Sequence, residues 1–340
     1  MGEYEPPFQL TATIINLLAD ICELVGRVEI AHRDTLSVQL RRQNQIRSIH
    51  SSLLIEQNTL SLEQVTAILN GKRVLGPPHE IREVQNAAEA YAIMSSLNPL
   101  REKDLLKAHR LMMDSLVKEA GQFRSGGVGV VADNKVIHLA PPAHLVPWQI
   151  RDLMTWYKES DLHPLVKSSI FHYEFEFIHP FADGNGRMGR MWHTLLLAQW
   201  KPFFAWLPIE ELIAKRQQEY YKVLQIADNS CNCACFVSMM LEIIRDVLKE
   251  MPQDESSNYR TSSDQALTKL PASTQAAIQE LLAILQHDTL TAAQLMERMG
   301  LTHRTHFRQS YLTPALEAGL IERTIPDKPN SPRQRYRIKR

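Results

Sequence analysis

Apolar residues recur every three or four positions along most of the first 250 residues, which is the spacing that buries one face of an α-helix. The segments LTATIINLLADICELVGRVEIAH and SSLLIEQNTLSLEQVTAIL show it between residues 8 and 70. Gly76-Pro77-Pro78 then interrupts the pattern. Further helices are expected over Glu80–Met94, Arg101–Val117, Pro147–Lys158 and Phe236–Leu248. Another helix is expected to begin at Pro164, and a separate helical stretch is expected to end near Asp228. The pattern predicts a mainly α protein.

Residues 121–142 differ from their surroundings. Two short runs rich in β-branched residues, near 128–131 and 136–139, flank the polar sequence Asp133-Asn134-Lys135. Alternating short runs around a polar turn are typical of a β-hairpin. A small hairpin is therefore predicted between helices.

The last seventy residues have a pattern of their own. Met251–Lys269 is poor in large apolar residues and rich in Ser, Asp, Asn and Gln, so a linker is predicted there. Helices are expected over Thr274–Leu285, Thr291–Met299 and Thr305–Glu317, followed by two strand-like runs around a Pro-rich turn. This order resembles a winged helix-turn-helix. Its basic C-terminal end is expected either to contact DNA phosphates or to be a solvated tail or protein-contact surface.

Composition narrows the class of protein. The 340 residues carry 38 Lys+Arg and 38 Asp+Glu, and 44% are hydrophobic. A neutral chain of this kind is neither disordered nor a nucleic-acid-coating protein. No membrane-spanning run or secretory signal is evident, so a cytoplasmic location is expected.

Three of the four cysteines fall together as Cys231, Cys233 and Cys235. Reduced structural cysteines are favoured, because a closed zinc site needs a fourth ligand and usually C-x-x-C spacing. A metal site at this run stays open as an alternative.

The chemistry is concentrated in HPFADGNGRMGR, residues 179–190. Gly184-Asn185-Gly186 lets the backbone turn tightly and present N–H groups at a helix start, where anions bind. Arg187 and Arg190 are three residues apart, so one helix face can direct both towards a phosphate chain. Asp183 is a hard oxygen ligand suited to Mg²⁺. His179 titrates near neutrality and is the candidate general base.

This motif resembles the HPFx(D/E)GNGRxxR signature of the Fic family at all nine specified positions. The similarity extends over roughly residues 45–250, with a Fic-type helical core, a hairpin flap and a C-terminal winged helix implied. The expected organisation has four parts: an N-terminal helical region over 1–100, with an inhibitory helix at about 48–58; a catalytic core over 101–250; a linker over 251–270; and a winged-helix domain over 271–340.

The resemblance implies an enzyme that transfers AMP from ATP, with Mg²⁺, to a Ser, Thr or Tyr hydroxyl of a target protein. It implies that His179 is the base, that Asp183 holds the metal and that Phe181 anchors the loop. The Asn185 side chain is also implied to contact phosphate. The full set of implied ATP- and phosphate-binding residues is Gly184, Asn185, Gly186, Arg187, Met188, Gly189, Arg190 and Tyr221. A core position for Tyr221 is the alternative.

The flap is implied to hold an extended target segment by strand addition. The residues expected to contact that segment are Val128, Val130, Val136 and His138.

A second resemblance lies upstream. Many Fic proteins carry an inhibitory helix of the form (S/T)xxxE(G/N), and Ser52 and Glu56 fit it, while Gln57 stands where Gly or Asn is usual. It implies that Glu56 pairs with Arg190 in the space that the γ-phosphate needs. This brake would act within the chain or across a homodimer.

The leading hypothesis is a self-inhibited protein adenylyltransferase. One alternative is a DNA-binding transcription regulator in which the core senses nucleotide. Others keep the fold but use another donor, carrying UMP, phosphate or phosphocholine, or remove AMP from a modified target.

Overall fold

The computed structural model describes residues 4–31, 38–132, 135–251, 272–285, 289–301, 303–325, 331 and 334–338. The chain divides into two compact units, Met1–Met251 and Pro252–Arg340. Apart from Met251, the predicted linker lies outside the described residues. No helix in these ranges is long and apolar enough to cross a membrane.

The first unit is built from helices and one hairpin. Its helices are α1 (Ala12–Ala31), α2 (Val38–Ile55), α3 (Leu62–Leu69), α4 (Pro78–Ile93), α5 (Glu102–Met112), α6 (Val146–Glu159), α7 (Pro164–Ile178), α8 (Asn185–Trp200), α9 (Ile209–Lys215), α10 (Gln217–Ser230) and α11 (Ala234–Glu250). Its strands are β1 (Gly129–Ala132) and β2 (Lys135–Leu139). The expected mainly α fold with a small antiparallel hairpin is confirmed.

Helices α7 and α8 form the centre of this unit. Both are buried on almost every face, which is typical of a helix with neighbours all round. They pack against each other and are covered by α5, α6 and α11. Two clusters of apolar side chains meet on them, one around α11 and one around α4, α5 and α6. The segment that joins α7 to α8 is therefore held between two rigid elements.

Helix α2 ends earlier than the predicted inhibitory helix, at Ile55 instead of residue 58. Gln57 takes a left-handed conformation with φ of 67°. The Gln57 N–H bonds to the carbonyl of Leu54, and the Asn58 N–H bonds to that of Leu53, at 3.0 and 3.1 Å. These two bonds form a Schellman C-cap, which stops the helix and satisfies its last carbonyls. Glu56 therefore lies between the last residue of α2, Ile55, and the left-handed Gln57.

The hairpin pairs β1 with β2 in antiparallel register, Gly129 opposite Leu139 and Ala132 opposite Lys135. The register shifts between Val130 and Val131, so one strand carries a bulge. The Asp133-Asn134 part of the predicted turn lies outside the described residues.

The second unit contains α12 (Ala272–Leu285), α13 (Ala292–Arg298), α14 (Arg304–Phe307), α15 (Thr313–Glu317), β3 (Ile321–Arg323) and β4 (Tyr336–Ile338). A π-helical turn, Arg308–Leu312, joins α14 to α15, so the expected single helix over Thr305–Glu317 is a composite one. Strands β3 and β4 pair antiparallel. A separate apolar core that includes Ile278, Leu295 and Phe307 holds this unit together.

Candidate active site

His179 ends helix α7 in a left-handed conformation, with φ of 50°. Its N–H still bonds to the carbonyl of Phe175 at 3.0 Å, so the residue is held at the helix end. On the ring, Nδ1 lies 3.2 Å from the carbonyl oxygen of Glu176. A carbonyl oxygen only accepts, so Nδ1 carries the proton and Nε2 keeps its lone pair. That tautomer suits a group that takes up a proton.

The loop after His179 is held by a buried side chain and by hydrogen bonds within the loop. Phe181 is fully buried. The Asn185 amide bonds in both directions to the Phe181 backbone, with its oxygen accepting at 2.8 Å and its nitrogen donating at 2.9 Å. The resemblance implies that this amide contacts phosphate; in this structure it closes the loop.

His109 supports the same loop, although the sequence analysis did not single it out. Its ring stacks on Phe181 with centroids 3.6 Å apart. Nδ1 accepts from the N–H of Gly121 at 2.9 Å, so Nε2 is protonated and donates to the Asp183 carbonyl at 3.0 Å. Burial lowers the pKa of His109 to about 4. The neutral ring therefore joins two segments that are far apart in sequence.

The start of helix α8 offers main-chain donors. Gly184 precedes the helix with φ of 83°, and no side chain caps it, so the first-turn N–H groups are available to an anion. Space around these glycines is short. A Cβ on Gly184 would lie 2.6 Å from Met113 Sδ, and one on Gly186 would displace the Glu56 carboxylate. The left-handed φ of Gly184 favours glycine in addition.

Arg190 is buried, and its guanidinium binds the end of helix α2. Nη2 bonds to Glu56 Oε1 at 2.7 Å and to the Ser52 carbonyl at 3.0 Å, and Nε bonds to Ser52 Oγ at 3.2 Å. Burial acts to lower the pKa of Arg190, but the Glu56 carboxylate opposes it strongly enough that the pKa is raised overall. The expected contact between Glu56 and Arg190 is present within one chain.

Arg187 is held by a different pair of carboxylates. Nη1 bonds to Glu83 at 2.9 Å, and Nη2 bonds to Asp183 at 3.1 Å. Glu83, which the sequence analysis missed, also accepts from the Asn58 amide at 2.8 Å. In this structure the two arginines thus bind separate carboxylates, although they leave the same helix.

Asp183 fits the role of a magnesium ligand. Its side chain is 58% exposed beside the first turn of α8. Mg²⁺ on a nucleotide is usually held by one or two carboxylates together with the phosphates. Among the described residues no group of three metal-binding side chains is assembled. A single exposed carboxylate next to an uncapped helix start is consistent with a metal that arrives with an anionic ligand.

The paired tyrosines on α10 occupy different environments. Tyr220 is buried and its hydroxyl lies 3.0 Å from His172 Nε2, whereas Tyr221 is 39% exposed. Core packing is thus the role of Tyr220. Burial of the Tyr221 hydroxyl and the nearby Glu56 carboxylate both raise its pKa, which places this ring beside the Glu56–Arg190 pair. Gln217, on the same helix, donates to the Ile55 carbonyl at 2.8 Å.

The remaining predicted site residues are placed as follows. Met188 and Gly189 lie buried in α8. Val128 precedes β1, Val130 lies in β1, and Val136 and His138 lie in β2. The side chains of these three strand residues are outside what the structure describes.

A buried group of hydrogen-bonded side chains lies behind α2. The Tyr91 hydroxyl donates to Glu210 at 3.0 Å. Ser52 partly offsets the rise that burial causes in the pKa of Tyr91. Glu210 also accepts from Ser48 at 2.8 Å and from Thr194 at 3.3 Å. Ser48 and Ser52 lie one turn apart on α2, and Glu56 follows one turn later, just after the helix ends. Each of the three side chains hydrogen-bonds a buried group, either Glu210 or Arg190.

The three cysteines of the run differ in exposure. Cys231 is exposed, Cys233 is buried and Cys235 is half-buried. Burial raises the pKa of the Cys235 thiol. Among the described residues no group of three His, Cys, Asp or Glu side chains is placed to hold a metal, and the structural role of the run stays a prediction.

Comparisons with known proteins agree with this geometry. The family model described as Fic/DOC family matches residues 99–197. The model described as filamentation induced by cAMP protein Fic-like, C-terminal domain, matches residues 276–339. A crystal structure of a Fic family protein from Desulfovibrio desulfuricans is 47% identical, with a TM-score of 0.71 over 98% of both chains.

More distant relatives come from nematodes. Protein adenylyltransferase fic-1 of Caenorhabditis briggsae is 29% identical over 59% of this chain and 41% of its own length. Fic-1 of C. elegans (residues 134–508) shares the fold at 23% identity and a TM-score of 0.58, over 70% of this chain and 71% of that one. The chain spans about two fifths of the length of the curated relatives it matches.

Proposed function

This chain belongs to the Fic family, and from that premise we propose that it is a protein adenylyltransferase held inactive by its own Glu56. The proposal rests on one observation above the others. Glu56 pairs with the guanidinium of Arg190 at 2.7 Å, next to the start of α8, which no side chain caps. Relatives named protein adenylyltransferase support the type of reaction.

In the proposed reaction a target hydroxyl attacks the α-phosphorus of ATP. The new O–P bond forms as the bond to the β-phosphate oxygen breaks, so AMP is transferred and pyrophosphate leaves. His179 Nε2 takes the hydroxyl proton, because Nδ1 already donates to the Glu176 carbonyl. An extended target segment would lie along the β1–β2 hairpin.

The phosphates would be held by the first-turn N–H groups of α8 together with Arg187 and Arg190. Asp183 would hold Mg²⁺, which neutralises phosphate charge when bound. Little covalent chemistry is then left to the protein, and positioning and charge stabilisation supply most of the rate.

The brake would act through competition for Arg190. A buried guanidinium binds one carboxylate or one terminal phosphate well, and Glu56 already fills that place. ATP bound alongside Glu56 would be displaced from the in-line geometry that transfer requires. Since both residues belong to the same chain, we propose that inhibition is intramolecular.

The test is transfer of label from α-³²P-ATP with Mg²⁺ to a cell lysate and to the protein itself. Wild type is compared with Glu56→Gly, with Glu56→Gly/His179→Ala, and with Glu63→Gly as a control that removes a nearby carboxylate without touching Arg190. We expect at least about tenfold more label with Glu56→Gly, none after loss of His179, and no change in the control. Equal labelling by wild type and Glu56→Gly would overturn the brake.

The other donors are outcomes of the same test. No label from α-³²P-ATP in any lane, but label from UTP or another donor, would replace AMP as the group transferred. Loss of label from a pre-modified target would instead indicate removal of AMP.

A second candidate function concerns the second unit. His303, Arg304, His306 and Arg308 are exposed around α14, and no acidic residue occurs between residues 298 and 316. In helix-turn-helix proteins the N-terminal residues of the motif's second helix, the recognition helix, contact base edges in the major groove. Here α14 follows α13 in that position. We propose that this face binds duplex DNA.

Binding is measured by fluorescence anisotropy of a labelled duplex at low and moderate salt. Arg304→Ala/Arg308→Ala should weaken it and reduce the salt dependence by about two phosphate contacts. Lys103→Ala, in the other unit, is the control. Equal binding by the double variant and the control would exclude this face.

A further inference from the structure

Arg124 lies between α5 and the hairpin and is only 3% exposed. Its guanidinium donates to four main-chain carbonyl oxygens. Nε bonds to His179 at 2.7 Å, Nη1 bonds to Gly126 at 3.0 Å, and Nη2 bonds to Ile178 at 3.2 Å and to Pro141. The Arg124 N–H also bonds to the carbonyl of Pro180 at 3.0 Å.

These carbonyls belong to two separate parts of the fold. Gly126 precedes β1 and Pro141 follows β2, so together they are the two ends of the hairpin. Ile178 is the last residue of α7, and His179 is the C-cap residue that follows it. Carbonyls at a helix C-terminus carry partial negative charge and favour a cation. Burial lowers the pKa of Arg124, yet a guanidinium stays protonated well above neutral pH.

We infer that Arg124 is a positioning residue that fixes the hairpin relative to His179. The inference rests on the proposed function, in which the hairpin holds the target segment and His179 takes the proton from its hydroxyl. A displacement of about 1 Å between such groups costs about 100-fold in rate. One side chain that binds both segments prevents that displacement.

The fork of the arginine side chain is essential to this role. Its three nitrogens lie in one plane and reach carbonyls on opposite sides. A lysine keeps the charge but places its donors on one nitrogen, which cannot span the helix end and both hairpin ends. Arg124→Lys therefore separates the geometry of the contact from its charge.

The first measurement is self-labelling with α-³²P-ATP in the Glu56→Gly background. Arg124→Lys should lower the maximal rate about 10- to 100-fold and leave the apparent KM for ATP within about twofold, because none of these bonds involves Arg187 or Arg190. Arg42→Lys is the matched control, since Arg42 is an exposed arginine that bonds to Asn70 at 2.7 Å. Its rate should not change.

The second measurement is amide hydrogen exchange, which needs no activity. In Arg124→Lys the amides of residues 129–132 and 135–139 should exchange about tenfold faster, whereas those of α8 should not change. If α8 also loses protection, the variant is unfolded, and Arg124→Gln, which keeps two N–H donors without the charge, replaces it in both measurements.

The outcomes separate the two proposals. If Glu56→Gly does not label itself, the adenylyltransferase proposal fails, while faster exchange confined to the hairpin still supports the link through Arg124. If Glu56→Gly labels itself and the Arg124 variant labels and exchanges at the same rates, the inference about Arg124 is wrong. A change in KM for ATP without a change in maximal rate also contradicts it.

Discussion

Gln57 has an unusual backbone conformation for its residue type. It is the left-handed residue of the C-cap that ends α2, and glycine or asparagine is favoured at that position because a Cβ is strained there. The Gly or Asn that the inhibitory motif usually carries after its glutamate has the same physical explanation. Gln57 is not the Gly or Asn of the motif, but its backbone takes the left-handed conformation that those residues favour.

Replacing Gln57 by glycine should stabilise the protein and reinforce the brake. Relief of the left-handed strain, less the added entropy of the unfolded chain, gives about 0.5–1 kcal/mol. The variant should melt at higher temperature and label less than wild type in the same assay. Gln57→Ala keeps the strained Cβ and serves as the control; equal melting of the two variants would contradict the argument.

Ser52 is the second residue whose role can be isolated. Its Oγ accepts from Arg190 Nε, so Ser52→Ala leaves a buried charged donor unpaired. The expected cost is about 1–3 kcal/mol in the free energy of unfolding. Ser51→Ala removes a neighbouring buried hydroxyl from the same helix and is the control. Chemical denaturation of both variants measures the difference.

At the scale of elements, Glu210 ties α9 to three others. It is fully buried in the first turn of α9 and accepts from Ser48 of α2, Tyr91 of α4 and Thr194 of α8. Burial raises the pKa of Glu210, and the hydroxyl donors partly offset this. This carboxylate is therefore one of the contacts that hold α2, the helix before Glu56, against α9.

Glu210→Gln should therefore destabilise the unit by about 1–3 kcal/mol, because an amide offers one acceptor oxygen where the carboxylate offers two. It should also loosen α2 and raise labelling above the wild-type level. Glu219→Gln is the matched control, since Glu219 lies in the first turn of α10, is exposed and pairs with Arg216. A wild-type labelling rate for Glu210→Gln would show that α2 is held without it.

Part of this arrangement could be predicted from the sequence. Helical spacing of apolar residues predicted the mainly α fold, and the dense motif located the loop between α7 and α8. The end of α2 was misplaced, since a left-handed glutamine leaves no mark in a hydrophobic pattern. His109, Glu83 and Arg124 were missed for another reason. Each acts through contacts with segments distant in sequence, and a lone polar residue does not reveal them.

For the whole molecule, acid should weaken folding through buried imidazoles. Burial lowers the pKa of His109 to about 4 and that of His172 to about 3, against about 6.5 in the unfolded chain. As the pH falls below 6.5, these histidines bind protons in the unfolded state but stay neutral in the folded state, so the free energy of unfolding falls. The loss from His109 levels off below pH 4. Glu174, whose pKa burial raises to about 7, acts in the opposite direction.

Thermal unfolding between pH 7 and pH 5 checks this sign. His109→Gln should show a shallower decline, by about 2 kcal/mol at pH 5, because the neutral amide cannot be protonated there. His79→Gln replaces an exposed histidine and should follow wild type. Parallel curves for all three proteins would mean that His109 does not contribute to the acid sensitivity.

The buried guanidinium of Arg190 has a consequence for how the protein would respond in a cell. On the proposed function, Glu56 is a competitor covalently tethered to its enzyme, so its local concentration is set by the chain and is unaffected by dilution. Linkage is reciprocal: whatever draws Glu56 away tightens nucleotide binding, and nucleotide that reaches Arg190 drives Glu56 out by the same factor. The activity of each molecule would then follow the supply of nucleotide and any contact that displaces Glu56 from Arg190, and would not depend on the concentration of the protein.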